Sequence, residues 1–119
     1  MVITNHARNK LALFMGGSTT TYPEYFAIGS GSGTAAATDT GLLYPVDGQA
    51  FTSTSYPTLQ KVTQQGDWNS VTMSGIQLQE FGIKVEAGTT GSVWSRTSLP
   101  PLQFDGTNEL RIEETWEVY

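Results

Sequence analysis

Glu109-Leu110-Arg111-Ile112-Glu113-Glu114-Thr115-Trp116-Glu117-Val118-Tyr119 closes the chain, and its pattern decides the fold class. Leu110, Ile112, Trp116 and Val118 fall on one side at a period of two, while Glu109, Arg111, Glu113, Thr115 and Glu117 fall on the other. Such alternation belongs to a strand with one face on a core and the other in water. Glu114 alone interrupts the apolar side. It is expected to reach a partner, to touch another subunit, or to mark where the strand leaves the core.

Upstream, strands are expected over residues 49–56, 58–64, 70–73, 76–85 and 92–99, with the last strand over 108–119. Asp67, Gly75, Gly88 to Gly91, Pro100-Pro101 and Asp105-Gly106 are the expected reversals between them, because each supplies an unusual or a fixed φ. Tyr25-Phe26-Ala27-Ile28 is a further strand, cut by Gly29-Ser30-Gly31-Ser32-Gly33, which favours a turn or a flexible loop. Residues 35–43 allow a brief helical turn before Tyr44-Pro45. One helix is expected near the N-terminus. Thr4 or Asn5 caps it, Ala7, Leu11 and Phe14 recur at helical spacing, Gly16-Gly17 stop it, and Val2 fastens its first turn. These elements predict a mainly β chain with a single domain over 1–119: an antiparallel β-sandwich or jelly-roll-like barrel with one short N-terminal helix.

Composition narrows the function. A chain of 119 residues is long enough for one unstapled core, and the lack of cysteine excludes disulfides, thiolate metal sites and thiol nucleophiles. Six Lys and Arg against eleven Asp and Glu give a net charge of −5, which repels a phosphate backbone, so no nucleic-acid partner is expected. No run approaches the roughly 20 apolar residues of a membrane helix, and the start lacks the apolar stretch of a signal peptide. A soluble protein made in the cytoplasm, with no membrane partner, is the expectation. Thirteen Gly and only 14% charged residues suit a surface covered by protein contacts.

Catalytic patterns are present only in fragments. Asp39-Thr40-Gly41 resembles the triplet of retroviral-type aspartic proteases, in which two chains each supply one carboxylate and share a proton. Ala36-Ala37-Thr38 stand where those enzymes have an apolar strand, so Asp39 is expected to serve as a turn or cap acceptor. The glycines at 29–33 lack the Gly-Lys-Ser/Thr of a phosphate loop, and Thr34 stands where a dinucleotide fingerprint needs glycine. His6, the single histidine, has no strained nucleophile in view. Glu80, Glu86, Glu109, Glu113, Glu114 and Glu117 are expected to form a solvated or interfacial charge stripe rather than a cation site or a glycosidase pair. No catalytic, cofactor-binding or metal-ligating residue is expected. Trp68, between Asp67 and Asn69, is expected in an exposed loop, as an interface anchor or as a ring that stacks on sugars, whereas Trp116 has core-facing parity.

Three ordered stretches are similar to a family of small tailed-phage virion proteins. Ile3-Thr4-Asn5-His6-Ala7-Arg8-Asn9 resembles an opening I-T-N-x-G-x-x before a Leu-rich helix. Phe26-Ala27-Ile28-Gly29-Ser30-Gly31, followed by Ala35-Ala36-Ala37-Thr38-Asp39-Thr40 and Leu42, resembles a strand, a G-x-G turn and an A-A-x-x-D-T-x-L element. Gln79-Glu80-Phe81-Gly82-Ile83 and Trp94-Ser95-Arg96-Thr97 resemble x-E-x-G-L and x-x-R-T strands ahead of the final strand. The chain departs from the pattern at His6-Ala7 and over 47–74. The resemblance implies a virion subunit: a capsid decoration or cement protein, or else a tail, neck or fibre-adaptor protein. Its implied partners are major capsid or tail proteins and further copies of itself.

Within that reading, Arg96 is expected to pair with Glu80 or with the acidic last strand, and Gly82 to permit close backbone approach. Arg8 and Lys10 lie where no acid precedes Glu24, whereas the last eleven residues hold four Glu and one Arg. Termini of adjacent subunits are therefore expected to attract. The candidate interface residues are Arg8, Lys10, Trp68, Arg96, Glu114 and Tyr119. A glycan- or receptor-binding module is the alternative from another class.

Overall fold

The structure, a computed structural model, describes residues 1–118; Tyr119, expected among the contact residues, lies outside the described residues. The elements run β1 (Val2–Ile3), α1 (Asn5–Met15), β2 (Tyr25–Gly29), β3 (Pro45–Ala50), β4 (Ser53–Ser55) and β5 (Lys61–Trp68), followed by α2 (Ser70–Met73), β6 (Gln77–Lys84), β7 (Val93–Gln103) and β8 (Leu110–Glu117). A five-stranded antiparallel sheet has the order β1-β7-β6-β2-β3, and a three-stranded antiparallel sheet has the order β4-β5-β8. The chain is thus mainly β, sandwich-like, with a short N-terminal helix.

Pairing of Phe26 with Ile83 and of Ile28 with Phe81 puts these four side chains on one face of the larger sheet. They meet Trp68 of β5 and Ile112 of β8, and Met73, Leu78 and Phe104 close the cluster. Each fully buried side chain of this kind contributes about 1.5–3 kcal/mol by leaving water. Pairing between β5 and β8 aligns Val62, Gln64, Gly66 and Trp68 with Trp116, Glu114, Ile112 and Leu110 along the inner face of the smaller sheet. Gly66 is required there, because a Cβ would lie 2.5 Å from the Phe26 ring.

Several expected elements differ. Residues 70–73 form a helical turn instead of a strand, because the Asn69 side chain accepts from the Thr72 N–H at 2.8 Å and caps it. Pro100-Pro101 lie inside β7 and not at a reversal. Leu102 pairs with Leu78 and Ser98 with Glu80, so β7 carries two more residues than β6 over this stretch. Two residues without N–H donors fit such a bulge because the ladder does not call on them. The segment expected at 49–56 divides into β3 and β4, and β5 continues through Asp67, whose side chain points outward to Arg111.

Trp68 is the largest correction: it ends β5, is 1% exposed, and stands edge-on to Phe26. Its indole N–H donates to Asp47 Oδ2 at 2.9 Å, which satisfies the one polar atom it brings into the core. Helix α1 starts at the Thr4 cap, but Val2 pairs with Arg96 in β1 instead of stapling the helix. Of the expected apolar face only Ala7 is buried, and every residue from Leu11 to Met15 is exposed. Residues 35–43 hold a tight turn, with the Asp39 N–H donating to Ala36 O, and no helix.

Candidate functional site

The face of the larger sheet opposite the core carries the first notable arrangement. Pairing of Gly82 with Arg96 and of Glu80 with Ser98 puts Glu80 and Arg96 on that face, beneath the connection 30–44 between β2 and β3. Glu80 accepts from the backbone N–H groups of Gly31, Leu43 and Tyr44, each at 2.8 Å. Arg96 Nε donates to Glu80 Oε1 at 3.0 Å, Nη1 to Asp39 Oδ2 at 3.2 Å, and Nη2 to Gly33 O at 3.2 Å. Ser98 Oγ donates to the same Gly33 carbonyl at 2.6 Å. Long irregular connections in compact domains are usually mobile or functional. This one is bolted to the sheet by a buried ion pair at both of its ends and in its middle.

The Gly29 to Gly33 run therefore has a different purpose from a free turn. A Cβ on Gly31 would collide with the Glu80 carboxylate and with Leu43, so glycine lets the backbone donate to Glu80 at close range. Three converging N–H groups make an anion cradle, and the chain fills it with its own carboxylate. Asp39 accepts from the Ala36 N–H at 2.8 Å as well as from Arg96, so its carboxylate is engaged by the turn and the clamp.

Lys84 secures the next connection. Buried at the end of β6, it donates to Gly88 O at 3.1 Å and to Thr90 O, gathering the turn between β6 and β7 around its ammonium. Burial lowers its pKa from the ordinary lysine value, with Glu86 acting in the opposite direction.

A second arrangement lies between the sheets. Glu114 is 6% exposed, and its Oε2 has only Ser95 Oγ at 3.4 Å. Among the described residues its Oε1 has no partner, nor have the side-chain carbonyl oxygen of Gln64, the indole nitrogens of Trp94 and Trp116, and the Thr97 hydroxyl. Gln64 is the cross-strand partner of Glu114, Trp116 lies two residues beyond Glu114, and on β7 Trp94 precedes Ser95 while Thr97 lies two residues after it. The five residues stand on β5, β7 and β8, the strands that meet at the Glu114–Ser95 contact along the seam between the sheets. Desolvation pushes the Glu114 carboxyl up to about 7, while the Met1 amino group and the Ser95 hydroxyl pull it down.

Beside the seam opens an apolar cleft of about 450 Å³, lined by Ile3, Leu11, Pro23, Val62, Trp94, Trp116 and Val118 with Gln64 and Glu117. A bulge delivers Trp94 to it: Ser95 pairs with Ile83 and Val93 with Lys84, which leaves Trp94 as the extra residue of β7. Val62 also borders two further hollows, one with Tyr22, Tyr25, Phe51 and Tyr56 and one with Tyr56, Leu59 and Trp116. Tyr22, Tyr56, Leu59 and Val118 are exposed, so one apolar surface runs around Val62 from Leu11 to Leu59.

The expected interface residues are thus scattered. Arg8 is exposed and donates to Asn5 Oδ1 at 3.1 Å, Lys10 is half-buried on the same helix, and Trp68, Arg96 and Glu114 lie inside the molecule. Arg96 takes Glu80 and not the last strand. The carboxylates form no single stripe: Glu80 sits under the 30–44 connection and Glu114 in the seam, while Glu109, Glu113 and Glu117 are exposed on the opposite side of β8. Val118, counted with the apolar side of the last strand, is exposed. No pattern in the sequence singles out Gln64, Ser95 or Lys84, because the pairing that sets Gln64 beside Glu114 exists only in the fold. Compared with family models, curated proteins and solved structures, the chain matches none.

Proposed function

We propose that the chain is a structural subunit of a tailed-phage virion, a decoration or cement protein of the capsid, and that its mechanism is assembly through protein contacts. The apolar surface around Val62 carries this reading. It continues through Leu11 onto the second half of α1, where Leu13, Phe14 and Met15 stand in solvent. Apolar surface of this extent on a small domain marks a contact surface. The proposed occupant is α1 of a second copy. That helix carries Arg8 and Lys10 beside its apolar tip, and the receiving surface is edged by Glu117, with Glu113 on the same strand.

The virion assignment rests on the ordered motifs from Ile3 to the last strand; Glu80, Asp39 and Arg96 of those motifs build the clamp, and Gly82 is the strand partner of Arg96. Trp68, the ring on which the sugar-stacking alternative leaned, is buried. Two measurements test the proposal. Sedimentation of the full chain should show an oligomer that Leu13→Glu with Phe14→Glu converts to a monomer of unchanged fold. Labelling the protein in intact particles should place it on the capsid shell. A monomeric wild-type protein with no particle-bound label sinks the proposal, and a label at the neck or tail moves it to the tail or adaptor alternative.

A further inference from the structure

We infer that Glu114 is a proton-operated latch between β8 and the strands it packs on: protonated, it donates to Gln64 Oε1 and closes the seam, and ionised, it loosens β8 beside the cleft. Gln64 and Glu114 are paired across β5 and β8, and both side chains lie on the inward face. Directly opposed side chains on one face have Cβ atoms roughly 4.5–5.5 Å apart, within hydrogen-bonding reach for Gln and Glu. Each presents an Oε1 without a partner. Two acceptors cannot satisfy one another, but a carboxylic acid has a donor to offer. One proton therefore resolves two of the five unpartnered atoms of the seam.

Among the described residues, the one donor that reaches the Glu114 carboxyl is the Ser95 hydroxyl at 3.4 Å, and the neighbouring strands bring it no charged side chain. Val62, Gln64 and Gly66 on β5 carry no charge, and neither do Trp94, Ser95 and Thr97 on β7. Arg96 is turned away to Glu80 and Asp39. Glu113 and Glu117 on β8 itself are exposed on its other face, and Lys61 lies 4.0 Å from Glu117. The amino group of Met1 is the cation whose field reaches the carboxyl. A buried carboxylate so placed favours its neutral form, in keeping with a carboxyl that burial pushes up to about 7. Gln64 and Trp116 both line the cleft, so release of the proton acts on the cleft wall.

The test compares the full chain with Glu114→Gln, which keeps the shape and cannot ionise. In wild type, carbon-detected NMR of side-chain carboxyls should find one glutamate titrating near neutrality, with its resonance absent from the variant. The unfolding constant of wild type should rise about tenfold or more between about pH 5 and pH 8 relative to the variant. Amide exchange in β8, corrected for intrinsic rates, should quicken over that interval in wild type alone. If every glutamate titrates below about pH 5.5, or if wild type and variant share one pH dependence, the latch does not exist. The NMR titration needs wild type only, so failure of the variant to fold leaves the idea open to refutation.

Discussion

Arg96 Nε donates to Glu80 Oε1 at 3.0 Å where neither side chain reaches water, and each partner holds a different part of the same connection. Glu80 holds its two ends through Gly31, Leu43 and Tyr44, while Arg96 holds its middle through Gly33 and Asp39. A buried ion pair adds little net stability over apolar residues of the same shape, but removal of one member strands the other charge. Arg96→Ala is therefore expected to cost about 3–5 kcal/mol in urea unfolding. Asp39→Asn, which leaves the Glu80–Arg96 pair in place, should cost about 1 kcal/mol. Equal costs would show that the pair does not act as the hub.

The contact between Gly66 and the Phe26 ring is a separate liability. Gly66→Ala brings a methyl group against a ring that is itself edge-on to Phe51 and Trp68, so relief requires several aromatic residues to shift together. A loss of about 1–3 kcal/mol is expected, with displaced aromatic resonances in the NMR spectrum. A neutral substitution would mean that the core yields there more readily than its packing implies.

Acid should weaken the outer face of the smaller sheet. Asp67 accepts from Arg111 at 2.8 Å, and this bond above all, with help from Thr52 and Gln65, lowers its pKa from 3.8 to about 2. A carboxyl whose pKa is lower in the fold stabilises it above the unfolded value, and that contribution fades as pH falls through the folded value. Between about pH 4 and pH 2, wild type should lose stability more steeply than Asp67→Asn. Parallel pH profiles would remove Asp67 from the account of acid unfolding.

Charge reversal at the helix checks the proposed contact from the other side. Arg8→Glu with Lys10→Glu should lower oligomer mass and virion incorporation while leaving the circular dichroism of the monomer unchanged, since Arg8 is exposed and forms no ion pair among the described residues. Added salt should lower the oligomer mass of wild type, whose attraction it screens, and not that of the variant. Unchanged mass and incorporation would refute the attraction between termini.

Much of the fold was legible where one rule governed a segment. The last strand follows from its period of two, the start of α1 from its Thr4 cap, and β2 from three strand formers, Tyr25, Phe26 and Ile28, within four residues. The misread segments are those where two rules competed. Asn69 capped a turn that Val71 and Thr72, as β formers, argued against; Asp67 and Asn69 gave Trp68 the look of a loop residue; and the double proline signalled a reversal where a bulge absorbed it. Glu114 is an anomaly in the sequence alone, yet its seam is not visible there, because Gln64 and Ser95 meet it only after strands distant in the chain have paired. The clamp was visible as the single pair Arg96 and Glu80, but not as a fastening for 30–44, since three of the bonds to Glu80 come from backbone that any sequence carries.

Thr4 sets the order of events in time. Its hydroxyl caps α1 at Ala7 and donates to Val93 O at 2.6 Å, a link across 89 positions, and its own N–H donates to Trp94 O. Thr4 thus waits for a strand 89 positions further along the chain before its anchor exists. Pairings that span most of a chain slow folding, because the loop they close must be gathered first. During that interval Leu11, Leu13, Phe14 and Met15 belong to a helix that has nothing to dock on. A messenger truncated before the codon for Val93 should therefore yield a product that aggregates or is degraded, whereas one that reaches β8 should fold after release.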